Sequence, residues 1–353
     1  MSSMANTAGS AQILMPSSDL FEDMAFFEQL GFRLNQIYPA DGPRVARMSG
    51  HGLAICLDIA AQVTPPTLQI LDDTKAGEQL TAPNGTLVAF VPEKTNFPLA
   101  HTHHHFEVRK LRDSAPWVIG RAGMLYRDLI PDRLGGSIIA SHIRIPQAGP
   151  VPDMVHYHTI GFQLIYCCHG WVKLVYEDQG PPFVLRAGDC VTQPPEIRHR
   201  VLESSENLEV IEIGVPAEHM TTIDHDMELP TPQLRPDREF GGQVFCLHRA
   251  NEADWHPHES RGLHYRETGI ESATRGKADV KVLKVADAEN LSALSHQADI
   301  HFTFVLAGEM VLQAEGQAPE PLELGDAFVI PPGLTYQLKS PTADLSLLQV
   351  VLP

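Results

Sequence analysis

The chain has 353 residues, room for roughly two or three domains. Its 43% apolar and 20% charged content allows a packed core and excludes a globally disordered chain. Lys plus Arg is 26 against 44 Asp plus Glu, a formal charge of −18, which argues against a nucleic-acid backbone or an anionic membrane as the main partner.

Residues 1–10 are small and polar, with no charged leader and no apolar stretch, so a secretory signal is not expected. No later run approaches the ~20 apolar residues of a spanning helix. The five cysteines, Cys56, Cys167, Cys168, Cys190 and Cys246, are odd in number and sit in apolar, strand-like runs. Reduced, buried thiols in a cytoplasmic protein fit this better than a disulfide frame. The 28 prolines and few long helical patterns predict a mainly β protein with many turns.

Residues 11–60 read as a small α+β module. Ala11–Leu14 is a short strand candidate. Asp19 and Glu22 have capping-box spacing, and Leu20, Met24, Phe27 and Leu30 recur at helical period until Gly31. Three strand-like runs follow, Arg33–Tyr38, Arg44–Met48 and Leu53–Asp58. This βαβββ order resembles one module of the vicinal oxygen chelate (glyoxalase and bleomycin-resistance) superfamily, whose sites are built from paired modules; one module is visible here. The Pro-, Thr- and Gly-rich stretch 61–105 reads as a linker or irregular segment.

The remainder contains one unit written twice. Trp117 and Arg121 to Asp128 match Trp255 and Arg261 to Glu267; Gly170 matches Gly308, Gly188-Asp189 matches Gly325-Asp326, and Pro194-Pro195 matches Pro331-Pro332, all at offsets near 138. The copies span 106–215 and 244–353, joined by a Pro-rich, acidic connector, 216–243. Each holds short strands between Gly and Pro turns, which predicts a sandwich or small barrel.

In the first copy His156 and His158 fall on one face of a strand, because side chains alternate with period two. Gln163, Gly170, Gly188, Pro194 and His199 follow at fixed spacing. Neutral imidazoles are common ligands for Fe, Zn, Cu, Ni and Mn. The spacing, His-x-His-x4-(Glu)-x6-Gly and then Gly-x5-Pro-x-(Gly)-x2-His, is that of the cupins. With its second copy the chain resembles a bicupin: two tandem double-stranded β-helix barrels. The resemblance places metal ligands at His156, His158 and His199, with Gln163 at the glutamate position. Gln163 replaces an anionic ligand by a neutral one, and Glu196 replaces a turn glycine.

The second copy keeps the turns and loses most ligands. Leu294, His296, His301 and Tyr336 stand at the four ligand positions, so a structural barrel is expected. Two other histidine groups, His101-Thr102-His103-His104-His105 and His256-Pro257-His258, read as surface or connector features. The repeated Tyr126-Arg127-Asp128 and Tyr265-Arg266-Glu267 occur in both copies, so a structural Arg–carboxylate pair is expected there. Glu212 on the last strand of the first copy faces either the cavity, as a general base, or solvent.

Three imidazoles and an amide leave a divalent ion with its full charge, which favours a small anionic, chelating substrate. With Fe(II), and with Mn, Ni, Zn or Cu as other candidates, the resemblance implies a dioxygenase acting on an aromatic or enolic acid. Gentisate dioxygenases similarly combine one metallated and one degenerate barrel. An O₂-independent isomerase, lyase or hydrolase in the same pocket, or a non-catalytic small-molecule binder, are the alternatives. Bicupins often self-associate, so a homo-oligomer fits the resemblance.

Overall fold

The computed structural model describes residues 10–93, 100–113 and 116–353. The segment 1–9, read above as lacking a leader, lies outside them. The chain divides into two units, 1–96 and 97–353. Among the described residues no helix is long and apolar enough to cross a membrane.

In the first unit the helix Leu20–Gln29 starts at Asp19, whose carboxylate accepts from the N–H groups of Phe21 and Glu22 at 3.0 and 3.1 Å. Asp thus serves as the N-cap that satisfies otherwise orphaned donors. The main sheet runs Ile13–Pro16, Leu53–Asp58, Val45–Gly50, Arg33–Tyr38, with the first pair parallel and the others antiparallel. Leu20, Met24 and Phe27 on the helix bury against Met15, Met48 and Ile55 on the sheet.

The stretch 61–105, expected as a linker, is structured over much of its length. Thr67–Leu71, Gln79–Thr81 and Leu87–Val91 form a second, three-stranded sheet. Leu68, Ile70, Val88 and Phe90 complete the same core as the helix. Their period-two alternation is present in the sequence, but the surrounding prolines and glycines mask it.

The second unit is two β-barrels packed side by side. The first is made of two sheets. One runs Leu247–His248, Cys190–Thr192, Phe162–His169, Leu208–Val215, Ile139–Ile145, Leu125–Asp128, Val118–Ile119; the other runs Phe183–Arg186, Trp171–Tyr176, His199–Ser204, His156–Thr159, Met220–Ile223. The second barrel repeats the plan around the pair Ile300–Ala307 and Ser346–Leu352. Strand alternation sorts the side chains into three apolar layers. Phe162, Leu164 and Tyr166 meet Phe302, Phe304 and Val350 between the barrels. Cys167, Val172 and Val210 fill the first barrel, and Val305, Leu312 and Leu347 the second. Truncating Phe162 or Phe302 to Ala in the middle layer would cost about 3–5 kcal/mol.

The barrels exchange edge strands. Glu107–Arg109, at the head of the first copy, pairs with Ala327–Val329 of the second. Leu247–His248, at the head of the second copy, pairs with Cys190–Thr192 of the first. The repeated Gly-Asp turns clasp these segments: Asp326 accepts from the Leu111 N–H at 2.7 Å, and Asp189 from the Ala250 N–H at 2.8 Å.

The turns follow the repeat closely. Gly170 and Gly308 share φ of 76°, and in each case the hydroxyl of a following loop, Ser205 or Thr342, accepts from the next residue's N–H at 2.9 Å. The sequence predicts an Arg–carboxylate pair at Arg127 and Arg266; the structure shows contacts that reach across the barrel seam. Arg127 donates to the Gly325 carbonyl, and Arg266 to the Gly188 carbonyl at 3.4 Å, each on the opposite barrel. The pairing partners are distant in the chain, so no local pattern announces them.

Candidate metal centre

The strand His156–Thr159 lies beside His199–Ser204, with His156 directly opposite His199. Period-two alternation turns His158 to the same side as His156. The three side chains are 0%, 8% and 3% exposed in chain order. One ligand nitrogen from each can be chosen so that all lie within 4.8 Å of one another. Two metal–nitrogen bonds of about 2.1 Å span at most about 4.2 Å, so donors within that bound need close by no more than about 0.6 Å to share one ion.

The other ring nitrogens are already engaged. His156 Nδ1 is 2.8 Å from the Met154 carbonyl, and His199 Nδ1 is 2.9 Å from the Ile197 carbonyl. Carbonyls only accept, so each of these rings carries its proton on Nδ1 and leaves a lone pair on Nε2. His158 Nδ1 is 2.9 Å from the Thr221 hydroxyl. The turn before His199 is fixed from the same strand: the Glu196 N–H donates to the His158 carbonyl at 2.9 Å. Glu196 has φ of 63°, the left-handed conformation that a glycine would adopt without strain; Gly333 has φ of 79° at the matching position.

Burial holds all three imidazoles neutral. It pushes His158 down to about 2, helped by the adjacent His156, and lowers His156 and pushes His199 well below their usual range. Neutral imidazole is the ligating form. His156 Nε2 and Gln163 Oε1 are buried atoms with no hydrogen-bond partner among the described residues. Buried polar atoms without partners are uncommon in native interiors, and a cation held by the three histidines would satisfy the His156 nitrogen. The donor set therefore fits a divalent metal.

Gln163 faces the barrel interior and donates through Nε2 to Glu212 Oε1 at 2.6 Å. Glu212 lines the cavity, on the same side of its strand as Val210. Burial raises its carboxyl, and the Gln163 hydrogen bond partly opposes this. The cavity measures about 70 Å³ and its walls are mostly aliphatic, with Ile143, Ile165, Val172 and Leu174 among them. Besides the histidines, its polar residues are Arg121, Tyr126, Tyr176, Gln193 and Glu212. Burial, reinforced by Glu212, pushes Tyr126 up to about 12, so its phenol stays protonated. Arg121 is paired with the buried Asp153, which also accepts from the Val201 N–H at 2.9 Å.

Sequence reasoning missed Thr221, Asp153 and His219, whose ring lies 5.5 Å from that of His158. Arg121 is visible in the sequence only as part of the repeat. Thr221 and His219 come from the segment read as a connector, where nothing in the local pattern points to a site.

The second barrel places its residual polar groups differently. The His296 and His301 rings stack at 4.4 Å and 17°, and His296 Nε2 is 2.9 Å from the Ile330 carbonyl. Tyr336 stays protonated through burial. Among the described residues, the only group of three or more metal-ligating His, Cys, Asp or Glu side chains is that of the first barrel. In the tract 101–105, His104 pairs with Asp299 at 2.7 Å and His105 lies 3.3 Å from Glu107. His256 is exposed on a short edge strand opposite Tyr265.

No protein-family model matches the chain, and no curated protein matches it. Solved structures do share its fold. A salicylate 1,2-dioxygenase from Pseudaminobacter salicylatoxidans aligns with TM-score 0.51 and 13% identity, over 72% of this chain and 86% of that one. Protein Ylba from E. coli aligns with TM-score 0.50 and 13% identity, over 72% and 93%. A single-site mutant of Bacillus subtilis oxalate decarboxylase aligns with TM-score 0.50 and 12% identity, over 74% and 79%. The likeness is one of fold and agrees with two tandem cupin barrels.

Proposed function

We propose that this chain is a metal-dependent bicupin. His156, His158 and His199 hold one divalent cation in the first barrel, with the Gln163 carbonyl oxygen as a fourth donor. The reaction we assign is dioxygenation of a small anionic aromatic or enolic acid, with Fe(II) as the metal. The observation that carries the reading is the convergence of three neutral imidazoles on the wall of a small, mainly aliphatic cavity.

A divalent ion bound there supplies a Lewis-acidic centre that lowers the pKa of a coordinated hydroxyl or enol. The chain's own residues supply the rest. Val172, Leu174 and Ile165 exclude bulk water, which strengthens every charge interaction inside. Glu212, held by Gln163 at Oε1 and made more basic by burial, can accept a proton from a substrate hydroxyl or enol. The Tyr126 phenol can donate a hydrogen bond to an anionic oxygen, and Arg121, on the cavity wall, adds positive potential.

A second reading is an O₂-independent isomerase, lyase or hydrolase. Glu212 favours it, because a carboxylate on the wall of the same cavity would suit proton abstraction without an oxidant. A non-catalytic small-molecule binder is the third. Elemental analysis of the purified protein followed by oxygen uptake with Fe(II) and candidate hydroxy acids and enols separates them. Oxygen consumption supports the first reading; chelator-sensitive turnover under anaerobic conditions supports the second. Chelator-insensitive ligand binding without turnover would leave only the third.

For the first unit the βαβββ order supports kinship with a vicinal oxygen chelate module. Its described residues contain no metal-ligating cluster, so we assign the chemistry to the barrel alone. The unbridged cysteines and the net charge support a cytoplasmic protein with a small-molecule partner, neither nucleic acid nor membrane.

A further inference from the structure

The strand that carries two of the three histidines has little support from the barrel proper. His156–Thr159 meets His199–Ser204 at one register pair, His156 opposite His199. Along its other edge it pairs over its whole length with Met220–Ile223, from His156 opposite Ile223 to Thr159 opposite Met220. That partner strand belongs to the segment between the two barrels. It is pinned at its end, where the Asp224 N–H donates to the Val155 carbonyl at 2.9 Å and Arg198 Nε donates to Asp224 Oδ2 at 3.1 Å. Further along, Arg238 donates to Glu177 and Asp178 at 2.5 and 2.6 Å. The inter-barrel segment is therefore strapped down over the ligand strand.

In this register Thr221 lies opposite His158, and its hydroxyl reaches His158 Nδ1 at 2.9 Å. The contrast with the other two rings is chemical. Backbone carbonyls fix His156 and His199 as the tautomer with a proton on Nδ1. A hydroxyl can donate or accept, so His158 is the one ring of the three whose Nδ1 hydrogen bond is made by a side chain.

We propose that Thr221 is a positioning residue for the metal: its hydroxyl accepts the His158 Nδ1 proton and so holds the ring with its Nε2 lone pair available to the shared ion. This rests on the three-histidine reading above. Thr221 touches neither ion nor substrate, and acts through His158. Partners of this kind fix ring orientation and raise ligand basicity, and losing one typically costs about 10–100-fold in metal affinity.

The test titrates Co(II) into the chelator-treated full chain and follows both affinity and the visible absorption of the bound ion. Four proteins are compared: wild type, Thr221→Val, Thr221→Ser and His158→Ala. Thr221→Val keeps the shape and loses the hydroxyl, and should bind Co(II) about 10–100-fold more weakly with an altered spectrum. Thr221→Ser restores the hydroxyl and should fall within a few-fold of wild type. Equal affinity and spectrum in Thr221→Val and wild type overturn the proposal, as does a Ser variant as weak as Val. Wild type that takes up no Co(II), or His158→Ala that binds as wild type does, overturns the three-histidine reading itself. Circular dichroism checks folding. If Val disturbs the strand, Thr221→Ala removes the hydroxyl without added bulk, and the same outcomes apply.

Discussion

Arg127 of the first barrel donates through Nη2 to the carbonyl of Gly325 in the second, and the same nitrogen lies 3.0 Å from His142 Nδ1. Arg266 repeats the gesture in reverse toward Gly188, at the longer distance of 3.4 Å. The two repeated arginines are thus a two-way clasp between barrels.

Removing Arg127 should cost more than removing Arg266. Arg127→Ala leaves a buried carbonyl and the His142 ring without their donor, a loss of roughly 2–4 kcal/mol. Arg266→Ala gives up two long bonds, to the Ala250 and Gly188 carbonyls at 3.3 and 3.4 Å, and should cost about 1 kcal/mol. Urea unfolding midpoints order the two variants; the reverse order would mean that the clasp is carried by packing.

His199→Ala removes one of the three converging imidazoles while leaving the Glu196 turn in place. Metal content at purification should fall to background by elemental analysis. His156→Ala should do the same, since its Nε2 is already without a protein partner. Full occupancy in either variant would remove that residue from the ligand set.

Gln163→Glu puts a second carboxylate where an amide now donates to Glu212 at 2.6 Å. Two such carboxylates must share a proton, and that proton's pKa rises above the ordinary carboxylate value of about 4.3. The folded variant then binds more protons than the unfolded chain above that value, so its metal-free stability should fall as pH rises. A bound divalent cation offsets the repulsion. Thermal melts across neutral pH, with and without metal, test this. No pH trend and no change in metal affinity would place Gln163 outside the ion's reach.

Acid should destabilise the metal-free protein. The three site histidines are held neutral by burial, with His158 down to about 2. In the unfolded chain they titrate near 6.5. Above that pH they contribute nothing to the pH dependence, because both states are neutral. Below it the unfolded chain binds protons that the folded chain refuses, and stability falls by about 1.4 kcal/mol per pH unit for each imidazole. The loss continues toward the depressed folded values. Denaturation of the chelator-treated protein between about pH 7 and 5 should show this slope. His158→Asn, which has no group titrating there, should show a shallower one.

Local features are the ones legible in the sequence. Alternation puts His156 and His158 on one face, and the spacing through Gly188 to His199 points to the third ring, because these signals lie within one strand or one turn. The duplicated glycines and prolines mark both barrels. Thr221 is not legible, since a lone threonine in an acidic connector announces nothing until strand pairing sets it against His158. Gln163 stands out as a ligand position, but its bond to Glu212 links strands nearly fifty residues apart and has no local trace. The strands Thr67–Leu71 and Leu87–Val91 escape a sequence reading for a different reason. Their parallel pairing with an intervening antiparallel strand breaks the simple hairpin pattern that turn residues suggest.

The swapped edge strands bear on how the protein could be dissected. A fragment ending near residue 215 would keep Glu107–Arg109 with nothing to pair with and leave the backbone of Cys190–Thr192 bare on one side. Exposed edges of that sort invite intermolecular pairing. The ligand-poor half is therefore not a dispensable passenger: it finishes the sheet that faces the one carrying the histidines, and domain-by-domain expression should yield aggregates where the intact chain folds.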